Sequence, residues 1–402
     1  MKNSHYVPRF ILRNFSDKIC LYDIKTGELK ENVKLERAYA EQGFYSDEIE
    51  DKLNIKLESQ FSQLLVNKIL KSDDVIELSR AELRLIKKFL LISIIRSMGN
   101  EQFMQHEKRF YDNLTALFLK QGLSKDEAEQ AAARPFQEVV IPNETPFDYW
   151  MRTIDVILDS DGSQEEIMKH PNKTYPAFRW AGVINAGYLA FWDSHYKRDE
   201  FVITDIGMTS ENEKGWNGIT VHNTKKTQFL IDLLITEKHE MMRQEIFKQL
   251  SFVKSFHENF QMFPISAKRM IVEISPFYKF RYVHKNKFPM PKLDDLTGLK
   301  NENLYVPNEN KYVYPQTGIV PKYHDDDRYI YRIKQLSKDE TRYCNALFLD
   351  RINTTLGFSS LDKVIGSLVR YKILNSFPYV PRVDYTPIYR LINEKYQASL
   401  SV

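Results

Sequence analysis

Side chains that can transfer protons or bind anions are concentrated at the amino end of the chain. Residues 5–16 read HYVPRFILRNFS, with an imidazole at His5, guanidinium groups at Arg9 and Arg13, and an amide at Asn14. The pKa of an unperturbed imidazole is about 6.5, so His5 is able to act as a general base or to ligate a metal. The alternative is that its ring hydrogen-bonds the backbone and anchors the chain end.

The two arginines of this segment are a candidate anion-binding pair. An extended backbone over residues 9–13 places Arg9 and Arg13 on one face. Phe10 and Leu12 then face the core. Two guanidinium groups on one face suit a phosphate or a carboxylate. The alternative is an exposed strand with ordinary surface arginines.

Arg96 follows an apolar segment, residues 89–95, which reads FLLISII and is predicted to be helical. A guanidinium group at the end of such a helix is expected to be partly buried. Because a buried charge needs a partner, we expect Arg96 to pair with a carboxylate. Glu58 and Asp205 are both candidates.

Asp205 follows the apolar segment 201–204, and functional residues often lie where a strand ends. Its carboxylate has several possible roles: it binds a metal, orients His5 or pairs with Arg96. The alternative is an aspartate that closes a turn before Gly207. We take His5, Asp205 and Arg96 as the candidate catalytic residues.

The opening block resembles the signature of an uncharacterised bacterial domain-of-unknown-function family, whose members begin with His-Tyr-Val-Pro followed by Leu-(Arg/Lys)-Asn-Phe. Residues 90–98, 201–205 and 342–346 resemble later parts of the same pattern. The family has Asn-Pro after the aspartate, where this chain has Ile and Gly. The resemblance implies a shared fold and a shared site but no reaction. It adds two amides, Asn14 and Asn345, which we predict to bind substrate phosphate together with the two arginines.

Composition excludes several classes of protein. The chain has 402 residues, 43% of them hydrophobic, and its 57 basic and 54 acidic residues give a net charge of +3. This balance argues against a strongly basic nucleic-acid binder. Two distant cysteines argue against a disulfide framework and predict a reducing cytoplasm. We expect no signal peptide and no membrane span, and the sparse glycines form no phosphate-binding loop.

The pattern of apolar residues predicts an α+β fold, with a helical layer packed on a small mixed sheet. We predict one α+β domain, formed by residues 1–283 and 328–402, and an irregular insertion or lid at 284–327. Helices are predicted within 47–138, at 146–158, after Ser163, at 226–245, after Ser337 to near Gly357, and at 361–374. Strands are predicted at 18–23, at 29–33, twice within 178–192, at 199–206 and at 269–275, with a polar loop at 210–217.

Two further groups of acidic residues and histidines invite a metal-binding interpretation. Residues 238–245 contain KHE and a later glutamate, and residues 324–327 read HDDD. The first lacks a second histidine at metal-binding spacing, and the second lies in the predicted insertion. Solvated surface is the favoured interpretation of both. The sequence therefore identifies no cofactor, and a divalent metal stays a candidate.

Two classes of function fit these observations. An imidazole, arginines and a carboxylate are what an enzyme acting on phosphodiesters or nucleotides requires, most simply a nuclease, such as an antiviral defence effector. The alternative is a non-catalytic sensor or binding module for nucleic acid, peptide or self-association, in which the same residues are structural. Nucleic acid, a nucleotide or a second copy of the chain are the expected partners.

Overall fold

The computed structural model describes residues 3–133, 138–194, 199–212, 259–274, 304–306, 325, 328–374 and 383–400. Its helices and strands confirm the α+β class. The helices are α1 Arg9–Leu12, α2 Asp47–Leu53, α3 Ser59–Leu64, α4 Arg80–Lys120, α5 Lys125–Ala133, α6 Pro146–Asp159, α7 Gln164–Lys169, α8 Tyr175–Ala186, α9 Lys338–Arg351, α10 Leu361–Leu374 and α11 Thr386–Leu400. The strands are β1 Asn3–His5, β2 Lys18–Asp23, β3 Leu29–Lys34, β4 Ala40–Gln42, β5 Val75–Ser79, β6 Tyr188–Ser194, β7 Ile203–Thr204, β8 Thr209–Asn212, β9 Asn259–Pro264, β10 Arg269–Ile274, β11 Leu304–Val306, β12 Arg328–Leu336 and β13 Thr355–Phe358.

The helical layer is organised around α4. Its first turn is closed by a capping box, in which the Ser79 hydroxyl accepts from the backbone of Glu82 and the Glu82 carboxylate accepts from the backbone of Ser79. α4 packs against α5, α6 and α8. The indole of Trp150, on α6, donates to the Ile95 carbonyl oxygen at 3.2 Å inside this core. A positive φ of 61° at Gly99 kinks the helix, which fits a residue without Cβ.

The largest sheet is mixed. Strands β8, β9, β10 and β6 form an antiparallel series, and β12 joins β6 in parallel. β12 also pairs with β5 and β11. A second sheet has the order β3, β2, β13, β7, and β1 pairs with β4. The amino-terminal block contacts the helical layer through Arg96, the loop after β7 through Gly207 and the loop after β9 through Ile265.

Several predictions of secondary structure are wrong. Residues 9–13 are not extended, because Arg9–Leu12 is helical. Of the two strands predicted within 178–192, the first is helix α8, which Thr174 caps. The strand predicted at 199–206 is limited to β7.

Two boundaries also differ from those predicted. The polar loop predicted at 210–217 begins as strand β8. Helix α9 ends at Arg351, well before Gly357, which lies within β13.

Some predictions fall outside the described residues. These are the helix at 226–245, the acidic group within it, and all of the insertion at 284–327 except Leu304–Val306 and Asp325. Leu304–Val306 pairs with β12, and Asp325 forms an ion pair with Arg84. The division into domains stays a prediction. Among the described helices, none is both long and apolar enough to cross a membrane.

Candidate functional site

The amino-terminal block is a strand followed by one helical turn. Pro8 precedes α1, and its carbonyl oxygen accepts from the backbone N–H groups of Ile11 and Leu12. Proline suits a helix start because its fixed φ costs nothing there. Arg9 and Arg13 lie about one helical turn apart. They therefore still share a face, although the backbone between them is helical and not extended. Arg13 is exposed and Arg9 is half-buried.

Arg96 is the hub of this block. Its side chain is 3% exposed, and Nη1 donates to Glu58 Oε1 at 2.6 Å. Nε donates to the Tyr45 hydroxyl at 2.7 Å, and Nη2 donates to the backbone carbonyl oxygen of His5 at 2.5 Å. The guanidinium group also lies 5.1 Å from the centre of the Tyr45 ring. Of the two carboxylates predicted as partners of Arg96, Glu58 is the one that binds it.

The contact between His5 and Arg96 is made by the backbone carbonyl oxygen of His5. Nε2 of the ring is buried and has no hydrogen-bond partner among the described residues. Burial lowers the pKa of His5 below its ordinary value of 6.5, and the charge of Arg9 acts in the same direction. The backbone of Leu35 and Glu36 opposes this shift. The imidazole is therefore neutral at neutral pH.

Asp205 lies on the other side of the block and holds a turn. Its carboxylate accepts from the backbone N–H of Thr354 at 2.8 Å, from the Thr354 hydroxyl at 2.7 Å and from the backbone N–H of Asn353 at 3.2 Å. Burial raises the pKa of Asp205, and these hydrogen bonds oppose the shift. The carboxylate is directed to residues 353–354 rather than to His5 or Arg96. The carboxylate therefore joins two distant segments and does not close the turn before Gly207 as the alternative predicted.

The two amides predicted to bind substrate are tethers between distant segments. Asn14 Nδ2 donates to the Ile265 carbonyl oxygen at 3.2 Å. Asn345 is fully buried. Its Nδ2 donates to the Glu200 carbonyl oxygen at 2.7 Å and to the Ser367 hydroxyl at 2.8 Å, while its Oδ1 accepts from the backbone of Val202 at 3.1 Å. Both amides therefore join parts of the core.

A small pocket borders the block. It encloses about 370 Å³ of empty space, its open mouth included. His5, Arg96 and Asp205 do not line it, although their neighbours do, and its walls are largely apolar. The lining residues are Tyr6, Val7, Pro8, Ile11, Phe89, Ser93, Ile203, Ile206, Gly207, Phe263, Pro264 and Ile265.

A basic surface lies beside the block, and the sequence prediction identified only part of it. α1 contacts the short 3₁₀ helix Leu35–Arg37. Arg9 Nη2 pairs with Glu36 Oε1 at 2.7 Å, so Arg9 lies beside this turn. Lys34 precedes the turn and is directly opposite Lys18 across β2 and β3. We call the exposed or half-exposed cations Arg9, Arg13, Lys18, Lys34 and Arg37 the basic patch.

The sequence analysis missed the cross-strand pairing of Lys18 with Lys34, because no sequence motif marks it. Lys18 and Lys34 lie 16 positions apart, and only the register of the hairpin brings them face to face. The sequence prediction placed strands at 18–23 and 29–33 but did not derive their register, so it did not connect these lysines with the arginines of the opening block.

No metal-binding cluster accompanies these residues in the described part of the chain. There, no group of three or more His, Cys, Asp or Glu side chains is placed to hold a metal ion. Of the acidic group at 324–327, only Asp325 is described, and it pairs with Arg84.

Comparison with known proteins gives a family but no function. A search of curated proteins finds no match. A search of solved structures finds none either. The model of the family described as "Protein of unknown function (DUF4238)" matches residues 3–360, a span that includes every candidate residue above. The chain therefore belongs to this uncharacterised family, as the resemblance of its opening block predicted.

Proposed function

We propose that the chain is a binding module for polyanions, most simply nucleic acid, and that the basic patch is its contact surface. The observation that carries this proposal is that α1, which bears Arg9, contacts the turn that bears Arg37, and that this turn follows Lys34, the residue opposite Lys18 in the β2–β3 hairpin. Charge balance over the whole chain is near zero, so this local concentration is not a consequence of composition.

The pairing of Lys18 with Lys34 supports the proposal physically. Side chains directly opposite each other in an antiparallel pair point to the same face, and like charges there are destabilising. A polyanion relieves this repulsion and releases its own counterions at the same time. Arg9 and Arg13 extend the surface with guanidinium groups, which bind phosphate oxygens through paired N–H donors.

The hydrogen bonds of the predicted catalytic residues favour binding over catalysis. Arg96 and Asp205 are bonded to internal groups, and so is Asn345. A catalytic residue needs donor or acceptor capacity directed at the substrate. Arg96 instead holds the amino-terminal block on α4, while Asp205 and Asn345 join segments of the core that are distant in the chain.

Charge reversal within the basic patch is expected to weaken the binding of nucleic acid. Lys34→Glu and Arg37→Glu are each expected to reduce affinity for labelled single-stranded RNA about ten-fold at low salt, because each removes a phosphate contact and adds a repulsion. Fluorescence anisotropy with RNA, single-stranded DNA and duplex DNA measures this.

Lys125→Glu is the matched control, since Lys125 is 79% exposed on α5, in the helical layer. It is expected to bind as the unmodified chain does. Equal affinity of all three variants, or no binding of any nucleic acid by the unmodified chain, would contradict the proposal.

A phosphodiesterase, such as a nuclease that serves in antiviral defence, is a second candidate. Two properties of His5 favour it: Nε2 has no hydrogen-bond partner within the described ranges, and the lowered pKa gives a neutral imidazole beside the cation Arg9. On this hypothesis His5→Asn abolishes cleavage of RNA or DNA, assayed with Mg²⁺, Mn²⁺ or EDTA, while thermal unfolding shows an intact fold. Cleavage that survives in a folded His5→Asn variant would eliminate this candidate.

A further inference from the structure

The pocket beside the amino-terminal block is enclosed by hydrocarbon from distant parts of the chain. Its walls come from the block itself, from α4, from residues 203–207 and from the end of β9 with the loop after it. Three of the lining side chains are aromatic, and none of the lining side chains is charged. Four of them are isoleucines, namely Ile11, Ile203, Ile206 and Ile265. The pocket therefore offers apolar surface from several elements at once.

The polar groups of these walls are few or already engaged. Pro8 and Pro264 have no backbone N–H to donate. The hydroxyl group of Ser93 donates to the carbonyl oxygen of Phe89, in its own helix, at 2.8 Å. A water molecule bound inside a protein needs about two to four polar partners. A wall of this composition therefore suits a hydrocarbon group better than it suits water.

Hydrogen bonds to residues outside the pocket fix its walls. The backbone N–H of Tyr6 donates to the carbonyl oxygen of Tyr39 at 3.1 Å. In the loop after β9, the backbone N–H of Ile265 donates to the carbonyl oxygen of Arg269 at 3.0 Å. The carbonyl oxygen of Ile265 accepts from the Asn14 amide at 3.2 Å. Because the walls are held in place in this way, binding a ligand requires little ordering of the protein.

The size of the pocket limits the group that enters it. The space is about 370 Å³, and this figure includes the open mouth, so the enclosed part is smaller. Enclosed apolar cavities of about 150 Å³ stay dry and bind benzene in other proteins. A single ring or a short branched chain is therefore the size of group that we expect inside. The open mouth allows the rest of a longer molecule to extend into solvent.

We propose that this pocket binds an uncharged hydrocarbon group, which is either a small free molecule or the end of a fatty acyl chain. Binding is driven by the removal of apolar surface of both the ligand and the walls from water. A charged group inside the pocket would lose its hydration and find no charged partner among the lining residues. Both sources of the ligand share this chemistry, and they differ in what lies outside the mouth.

This site is distinct from the surface proposed to bind polyanions. None of the cations of the basic patch lines the pocket. Helix α1 contributes to both, because Ile11 lies in the wall of the pocket, whereas Arg9 pairs with Glu36 on the side of the 3₁₀ helix. The binding of a hydrocarbon group is therefore a property that failure of RNA binding would leave untouched.

Methyl NMR of the full chain, labelled at the δ1 methyl groups of isoleucine, tests the proposal. The probes are benzene, isobutanol and octanoate at millimolar concentration. We expect the signals of the four isoleucines in the wall to shift, while that of Ile154, buried on α6, stays in place. Half-maximal shifts at a lower concentration of octanoate than of isobutanol would identify an acyl chain as the ligand. The reverse order would identify a small free molecule.

Two variants locate the site. Ser93→Leu fills part of the pocket and is expected to weaken binding of benzene about ten-fold or more. Ser97→Leu is the matched control, since Ser97 lies about one turn further along α4, also donates to its own helix and does not line the pocket. Ile206→Ala enlarges the pocket and is expected to admit naphthalene, which the unmodified chain excludes. No shift of the four wall methyl groups with any probe, or equal binding by the unmodified chain and all the variants, would overturn the proposal.

Discussion

Replacement of Arg96 by methionine is expected to lower the free energy of unfolding by roughly 3–5 kcal/mol, the usual cost of removing one partner from a buried ion pair. Methionine keeps much of the apolar volume but removes every donor. The carboxylate of Glu58, the hydroxyl of Tyr45 and the carbonyl oxygen of His5 then lose their shared partner. Urea unfolding monitored by circular dichroism measures the change.

The matched control is Arg84→Met on the same helix. Arg84 pairs with an exposed partner, Asp325, and an exposed ion pair contributes about 0–1 kcal/mol. Because the penalty of Arg96→Met comes largely from the uncompensated charge of Glu58, the double variant with Glu58→Gln is expected to recover part of it. If Arg96→Met is as stable as Arg84→Met, Arg96 is not the hub of the block.

The second large effect is a gain of stability from replacing a buried acid. Glu273, on β10, is fully buried, and neither of its carboxylate oxygens has a hydrogen-bond partner among the described residues. It packs directly on Gly187, where a Cβ atom would lie 1.5 Å from Glu273 Oε1. The nearby Lys87 donates to the carbonyl oxygens of Asn185 and Gly187, at 2.8 and 2.9 Å, rather than to Glu273.

The burial of Glu273 and Lys87 makes the free energy of unfolding depend on pH. Burial raises the pKa of Glu273 from 4.5 to about 8, although the charge of Lys87 lowers it. Between pH 4.5 and about pH 8, the carboxyl group of Glu273 is deprotonated in the unfolded chain and protonated in the folded chain. The contribution of Glu273 to the free energy of unfolding is therefore fully present below pH 4.5. It is lost as the pH rises towards 8, by on the order of 1 kcal/mol per pH unit.

Lys87 acts in the adjacent pH range. Burial lowers its pKa from 10.5 to about 8. Its contribution to stability is present above pH 10.5 and is lost as the pH falls towards 8. The summed contribution of Glu273 and Lys87 to the free energy of unfolding is therefore smallest near pH 8.

Glu273→Gln is expected to remove the fall in stability between pH 4.5 and 8 and to raise the melting temperature at pH 8. Gln has nearly the same shape, and it cannot ionise. Thermal unfolding across this pH range measures both effects, and Glu165→Gln, an exposed change, controls for the altered net charge. An unchanged pH profile in Glu273→Gln would show that this carboxyl group titrates normally.

Local signals in the sequence predicted much of the helical layer. Ser79 and Ser337 each precede a glutamate by three residues, which is the spacing of a capping box, and both capping boxes are present. These motifs work because all of their partners are close in the chain. The same type of signal was overlooked at Thr174, where a capping residue and Pro176 begin α8.

The functional residues were harder to predict because their partners are distant. The apolar segment before Arg96 indicated burial, and Glu58 was one of two carboxylates proposed for it. Nothing local distinguishes Asp205 as a turn-holding residue, since its partners at 353–354 come from another segment. The same is true of Glu273, whose carboxylate oxygens have no hydrogen-bond partner in the described part of the chain and whose burial depends on elements far apart in the sequence.

The salt dependence of RNA binding tests the central claim most directly. For the unmodified chain and for a variant that combines Arg13→Ala, Lys34→Ala and Arg37→Ala, the affinity for single-stranded RNA is measured over a range of salt concentrations. Each lost phosphate contact lowers the slope of log affinity against log salt by about 0.7, so the variant is expected to lose about two units. Equal slopes for both proteins would mean that the basic patch does not contact the phosphates.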